Sequence, residues 1–475
     1  MIKKNTIIGR KAEQEVLREC IDSERSEFVA LYGRRRVGKT FLVREIFEDD
    51  FVFYATGILD GDQEAQLANF NEEISKYGGS ALEPARNWRE AFNNLYSLIE
   101  SSKRTTKKVV FLDEIPWMNT TRSDFLSALD HFWNRWVSLR GDVLLIICGS
   151  AASWIIDNIV NNIGGLHNRL TRHIHLSPFT LRECEAYYYA KGINLPQYQI
   201  AEAYMIFGGI PYYMDLFRPK YSLAQNVDAI FFAENAPLLN EYQNLFRSLV
   251  RNAEGHMRVI EALAGRNSGK TRDDIVALSK ISDGGWLTKV LNELIAGGFV
   301  RKYLSFGKKT RNTLYQLIDP FTLFCLRFDR MREAHSTDFW LRFYRTPEHA
   351  SWAGHAFEII CLLHIPQIRQ ALGISGVLTG IYSWKSTTSD PGAQIDLVIE
   401  RGDNLINLCE MKYASSEFVI DKEYDKKLRN KASAFVEETK TRKAAHITMI
   451  TTYGLKKVMY QAGIPFEITL EDLFN

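Results

Sequence analysis

The spacing of apolar residues changes character along the chain. Over residues 5–175, short unbroken apolar runs alternate with stretches of helical periodicity, which predicts an α/β core. Strands are predicted at 28–32, 51–54, 107–112 and 143–148. Runs such as Val109-Val110-Phe111-Leu112 and Leu144-Leu145-Ile146-Ile147 read as parallel strands buried on both faces. Residues 176–250 read as helical, with a stop and turn at Gly208-Gly209-Ile210-Pro211 inside an aromatic-rich stretch (Tyr204, Phe207, Tyr212, Tyr213). Over 251–318, helices near 254–264, 271–278 and 286–294 precede two strands, 298–304 and 313–318. These strands flank the basic segment Gly307-Lys308-Lys309-Thr310-Arg311-Asn312. Three helices followed by a basic hairpin is a winged-helix pattern, which serves DNA contact or protein contact equally well. Lys289 and the basic wing are its candidates for DNA. Residues 319–475 form a last unit, entered through the aromatic segment Phe321 to Phe328. Strands follow at 394–399 and 405–411, then a charged helix near 421–440 and a strand at 445–451.

Composition narrows the class. The 475 residues are 46% hydrophobic and 24% charged, ordinary globular usage, and the length suggests about three or four domains. A net charge of +2 gives no global field toward nucleic acid, so any basic surface must be local. The six cysteines (Cys20, Cys148, Cys184, Cys325, Cys361, Cys409) include no Cys-x-x-Cys pair, which argues against a zinc ribbon or a disulfide scaffold. Met1-Ile2-Lys3-Lys4-Asn5 is followed by no long apolar stretch, and no run approaches a membrane-spanning length. A cytoplasmic protein with no membrane partner is expected.

Chemistry concentrates at the ends of the predicted strands. Gly33-Arg34-Arg35-Arg36-Val37-Gly38-Lys39-Thr40 fits G-x-x-x-x-G-K-[ST] at every fixed position, between an apolar strand and a helical segment opening at Phe41. Gly33 and Gly38 would let the backbone, with Arg36 and Val37, curl its N–H groups toward phosphate oxygens. The following helix adds its positive dipole end. Lys39 would reach the β/γ-phosphates and Thr40 would hold Mg²⁺. ATP and Mg²⁺ are thus the expected ligands. In Lys107-Lys108-Val109-Val110-Phe111-Leu112-Asp113-Glu114, the two acids fall at a strand's C-terminal end, where open α/β sheets bind ligands. Asp113 would accept the Mg²⁺-bound water and Glu114 would polarise the attacking water. Ser150, ending the run from Leu144, could hydrogen-bond the γ-phosphate or that water, or be a plain strand-end serine.

A second acidic group lies near the C-terminus. Asp396 falls in one strand and Glu410-Met411-Lys412 ends the next, joined by Arg401-Gly402-Asp403-Asn404. A turn centred on Asp403 puts Asp396 opposite Glu410, and period two puts Lys412 on the face of Glu410. Two carboxylates suit Mg²⁺ or Mn²⁺, which would activate water against a scissile phosphate. Glu358, on a predicted upstream helix, would complete the site. No cysteine or histidine is expected to take part. A solvent-facing acidic hairpin is the alternative. The basic residues Lys426, Lys427, Arg429 and Lys431 could track a phosphate backbone, or form a solvated helix face.

On these motifs the chain resembles archaeal-type ATPases of the STAND/AAA+ group that carry a C-terminal PD-(D/E)xK nuclease-like domain. Ile7-Ile8-Gly9-Arg10-Lys11-Ala12-Glu13 matches the family's N-terminal motif, which implies adenine contact around Gly9 and Arg10. Gly209-Ile210-Pro211 matches its lid motif, which implies Pro211 near the base and a lid swinging about 176–180. Ser150 falls at the sensor position. Arg169 falls near a recurrent arginine, and the match does not settle whether that residue acts in cis, in trans or structurally. Pro391-Gly392 precedes Asp396 by several residues, so the literal Pro-Asp pair is absent. The resemblance implies an α/β architecture in four parts. These are a P-loop ATPase core at 1–175, a helical lid at 176–250, a winged-helix domain at 251–318 and a restriction-endonuclease-like α/β domain at 319–475. ATP and ADP are the expected ligands, with nucleic acid (DNA before RNA) and a further copy of the chain as candidate partners. Two function classes follow. One is an ATP-driven machine whose C-terminal domain cuts or grips nucleic acid. The other is a signalling switch whose C-terminal domain only binds a partner.

Overall fold

The computed structural model describes residues 7–79, 82–161, 166, 168–247, 253–265, 269–308, 312–328, 338–344, 346–389, 392–457 and 463–475. Lys309, Thr310 and Arg311 of the basic hairpin, and Pro391, lie outside the described residues. The chain divides into two compact units: 1–178 with 244–253 and 292–297, and 179–243 with 254–291 and 298–475.

The first unit is built on a five-stranded sheet in the order β2-β3-β4-β1-β5, with every described pairing parallel. Its strands are β1 (Glu27–Tyr32), β2 (Phe51–Thr56), β3 (Lys108–Asp113), β4 (Val143–Gly149) and β5 (Arg172–His175). Every residue of β1, β3 and β4 is buried, as unbroken apolar runs require when helices cover both faces. Phe28, Ala30 and Tyr32 pack on one face into a core with Trp88, Phe92, Phe125 and Trp133. Because β3, β4 and β1 are neighbours, their exits lie side by side on one edge of the sheet. β5 departs from the predicted strand set. Its Arg-His-Ile-His sequence buries only Ile174, so it carries no apolar run to read.

In the second unit, the helix Leu181–Ala190 opens on a capping box between Thr180 and Glu183. The helix Gln197–Phe207 ends at Gly208, whose φ of 66° is the left-handed stop predicted there, and Pro211 opens Pro211–Met214. Helices Ala253–Leu263, Arg272–Ser279 and Gly285–Ala296 follow along the chain, with Ala253 and residues 292–296 belonging to the first unit. The antiparallel pair β6 (Val300–Ser305) and β7 (Thr313–Leu317) comes next. Lys270 bridges to Tyr315, adding one more backbone contact to that hairpin.

β6 also pairs in parallel with β8 (Thr379–Lys385), so the hairpin joins a seven-stranded mixed sheet. The sheet runs β12-β11-β10-β9-β8-β6-β7, with β9 (Gln394–Arg401), β10 (Leu405–Lys412), β11 (Ala444–Thr451) and β12 (Phe466–Thr469). The expected border at 318/319 therefore falls inside one continuous sheet. The helix Lys422–Thr439 makes the crossover between parallel β10 and β11, and Phe435 packs on Trp384, Val398 and Leu408.

Candidate functional site

The P-loop lies between β1 and the helix Lys39–Phe47, with backbone geometry only particular residues allow. Gly33 has φ 149° and a Cβ there would overlap the Leu176 carbonyl, so this position needs glycine for both space and conformation. Gly38 has φ 94° with open space around it, and it supplies no side-chain cap to the helix it precedes. The first N–H groups of that helix are thus left for an anion. Arg36 is also left-handed, at φ 69°, and Val37 is buried. Phe41 is 44% exposed on the first helical turn.

Lys39 is 5% exposed, and its ammonium donates to Gly33 O and Arg34 O, each at 2.9 Å, and to Ser150 Oγ at 3.0 Å. Thr40 Oγ1 donates to Asp113 Oδ2 at 2.7 Å, while Glu114 N donates to Asp113 Oδ1 at 2.9 Å. Burial raises the Asp113 carboxyl above its ordinary value, with the Glu114 charge adding to this and the Thr40 bond opposing it. Glu114 sits at φ 49°, a conformation that costs energy for a residue with a side chain. Its carboxylate is held by Ser150, through the backbone N at 3.0 Å and through Oγ. Ser150 therefore bridges Lys39 and Glu114. The sequence marked the serine but not its tie to the acid.

The N-terminal motif reaches this loop. Gly9 and Arg10 are both left-handed, and an Arg10 guanidinium nitrogen donates to Val37 O at 3.4 Å. Arg169 is exposed just before β5. A hydroxyl and a carboxylate 2.7 Å apart, beside a buried lysine and an open helix N-terminus, fit a hard divalent cation and a polyphosphate. Thr40 and Asp113 would hold the ion.

The second site belongs to the other unit. The antiparallel register pairs Leu397 with Cys409 and Val398 with Leu408. Continued by one residue, it puts Asp396 opposite Glu410, as counted from the turn. Lys412 Nζ lies 3.2 Å from Glu410 Oε1. Burial, then repulsion from Glu358, raises the Asp396 carboxyl above its ordinary value. Gln394 donates to Asp396 at 2.6 Å. Glu358, on the helix Pro347–Leu363, is thus within electrostatic reach of Asp396.

The crossover helix contributes what the sequence did not show. Lys431 lies 2.7 Å from Glu410 Oε2, and Tyr424 OH donates to Oε1 at 2.8 Å. Burial alone would raise the Glu410 carboxyl, but Lys431 and then Lys412 outweigh it and hold it below its ordinary value. Lys431 is therefore an inward residue, not part of a solvated face. His355 Nδ1 lies 3.8 Å from Glu358, one turn earlier on the same helix. Among the described residues, no three His, Cys, Asp or Glu side chains are grouped to hold one metal ion. Glu410 instead has two lysines against its carboxylate. Pro211 sits at the first turn of Pro211–Met214, in this second unit.

Comparison with known proteins bears on the first unit. Residues 8–217 match the family model of an ATPase domain predominantly from Archaea. An uncharacterised protein of Methanocaldococcus jannaschii is 24% identical over 325 residues, 68% of each chain. Among solved structures, the Walker-type ATPase of Pyrococcus abyssi covers 68% of this chain and 96% of its own, at 18% identity and a TM-score of 0.49. The ORC2 protein of Aeropyrum pernix covers 70% and 97%, at 14% identity and a TM-score of 0.39. The parallel sheet with its phosphate loop defines a P-loop nucleotide-binding core. The match over residues 8–217 makes this part of the chain similar to an archaeal-type ATPase domain. Among the described residues, no helix is long and apolar enough to cross a membrane.

Proposed function

We propose that this is a Mg²⁺-dependent ATPase whose nucleotide cycle acts on a metal-dependent, nuclease-like C-terminal domain working on nucleic acid, DNA before RNA. The observation that supports the reading is the β9–β10 register Leu397 with Cys409, which continued by one residue would face Asp396 with Glu410, beside Lys412 at 3.2 Å from Glu410, in a chain with a complete P-loop. At the first site, Lys39 turns from the Gly33 and Arg34 carbonyls to the β/γ-phosphate oxygens. Thr40 and Asp113 would hold a Mg²⁺ ion, which would supply charge to offset the phosphates. Glu114, steadied by Ser150, orients the attacking water and takes its proton. Gly9 and Arg10 contact the adenine, and Arg169 supplies charge to the phosphates of its own or a neighbouring subunit. Residues 251–318 act as a winged helix on DNA through Lys289 and the basic wing. Six buried free cysteines suit a reducing, cytoplasmic setting.

The test is cleavage of DNA and RNA substrates with Mg²⁺ or Mn²⁺, with and without ATP, beside a Glu410→Ala control. Metal-dependent cutting lost in the control supports the reading; no cutting of any substrate removes it. One observation favours the switch reading: Lys412 and Lys431 already neutralise Glu410, and among the described residues no three acids are grouped for a metal. A switch would copurify with tightly held nucleotide and turn over slowly, whereas a motor would hydrolyse steadily and faster with DNA.

A further inference from the structure

Glu202 lies within the helix Gln197–Phe207 and is 2% exposed. A carboxylate at that depth needs donors. Tyr344 OH donates to Oε2 and Tyr413 OH to Oε1, each at 2.9 Å. Burial, then the Glu202 charge, raises the Tyr413 phenol far above its ordinary value, so its proton stays in that bond.

Tyr413 directly follows Lys412 at the exit of β10. Its ring lies 5.9 Å from Phe357, the neighbour of Glu358. It also stacks at 5.1 Å and 25° on Tyr198, from the first turn of the helix that carries Glu202. Tyr198 stacks in turn on Tyr453, just beyond β11. A second clip lies nearby: Leu181 N donates to His364 Nε2 at 3.1 Å, and His364 follows the helix of Glu358. The segment leading into Gly209-Ile210-Pro211 thus grips both the strand end and the helix that bear the second acidic cluster.

We propose that Glu202 is a positioning residue. Its charge-assisted bond to Tyr413 fixes the exit of β10, and with it Lys412 against Glu410, to the helix that runs into the Gly209-Ile210-Pro211 turn. Movement of that turn is then carried to Lys412. The metal-binding role of the cluster rests on the reading above; the tie itself does not.

The test is acetylation of Lys412 in the full chain, read by mass spectrometry at fixed pH. Losing a hydrogen bond to a charged group is worth about a factor of ten, so Glu202→Gln and Tyr413→Phe should each raise Lys412 labelling about tenfold. The double variant should not exceed Tyr413→Phe, because Glu202→Gln weakens the same bond that Tyr413→Phe deletes. Tyr344→Phe removes the other hydroxyl from Glu202 without touching β10 and should leave Lys412 at its wild-type rate. If Glu202→Gln fails to fold, Tyr413→Phe against Tyr344→Phe decides alone. Unchanged labelling in Tyr413→Phe, or an equal rise in Tyr344→Phe, overturns the proposal. Mn²⁺ titration of the same proteins without nucleotide separates the two ideas. Lys412 responding as expected while Glu410→Ala binds Mn²⁺ like wild type would remove the metal reading and leave the tie standing.

Discussion

Acidification should weaken the second unit through His364. This side chain is 1% exposed and neutral, with Nδ1 donating to Ile360 O at 2.8 Å and Nε2 accepting from Leu181 N at 3.1 Å. A proton on Nε2 would turn that acceptor into a donor facing another donor, inside an apolar site edged by the Tyr204 ring. Burial holds its pKa at about 4, down from 6.5, while the Ile360 carbonyl opposes the shift. At about 1.36 kcal/mol per pH unit, the gap from 6.5 to about 4 is worth roughly 3 kcal/mol. The unfolded chain binds the proton first as pH falls, so this stability is fully present above 6.5, is lost between 6.5 and about 4, and changes no further below. The assay is urea unfolding of wild type and His364→Gln from pH 7.5 to 3.5. Glutamine can still accept from Leu181 N but does not titrate. Other groups, including His349, whose pKa burial also lowers to about 4, cancel in the difference between the two proteins. The difference should move by roughly 3 kcal/mol toward the variant across that window. A difference that stays constant with pH would refute the reasoning.

How much of this was readable in the sequence depended on how local each signal is. The exits of β1, β3 and β4 were legible because parallel strands buried on both faces must be apolar throughout, and because glycines at Gly33 and Gly38 mark a loop that other residues cannot form. The pairing of Asp396 with Glu410 was legible by counting from Asp403, since a hairpin converts sequence distance into register. The edge strands β5 and β12, with four residues each, were hidden because an exposed edge places no apolar demand on its sequence. β8, interrupted by Gly380 and Ser383, gave no clean alternation either. Long-range partners were not legible at all. Nothing near Lys431 says that it faces Glu410 and not water, because the helix Lys422–Thr439 has charge on most of its surface. Nothing near Glu202 points to Tyr413, because a pairing 211 residues apart leaves no local trace.

Three more predictions concern the loops. Lys39→Ala should weaken ATP binding roughly a hundredfold by fluorescent-nucleotide titration, since charged-group hydrogen bonds to phosphate are lost; an unchanged Kd would end its assignment. Gly208→Ala should cost only about 1 kcal/mol, because φ is 66° but the nearest atom to a new Cβ, on Pro320, is 3.3 Å away. Gly209→Ala should cost roughly 3 kcal/mol or more, because its Cβ would overlap the Phe179 carbonyl and come within 2.6 Å of the Tyr204 ring; equal melting temperatures for the two variants would contradict this. The last prediction concerns Ser150. Its hydroxyl accepts a hydrogen bond from Lys39 and donates one to Glu114, while its backbone N donates to the other oxygen of that acid. Lys39 keeps its bonds to Gly33 and Arg34 without the serine, so nucleotide binding should survive Ser150→Ala with little change in KM. Glu114 would keep only the backbone bond from residue 150, and kcat should fall about tenfold as the acid loses its orientation. Glu114→Gln should bind ATP normally and lose roughly a hundredfold or more in kcat, because the water-activating charge is gone. If the serine acts through the acid, the double variant should be no slower than Glu114→Gln alone. Rate losses that multiply would show that Ser150 acts on the nucleotide directly, and would return it to the sensor role in which it touches the γ-phosphate.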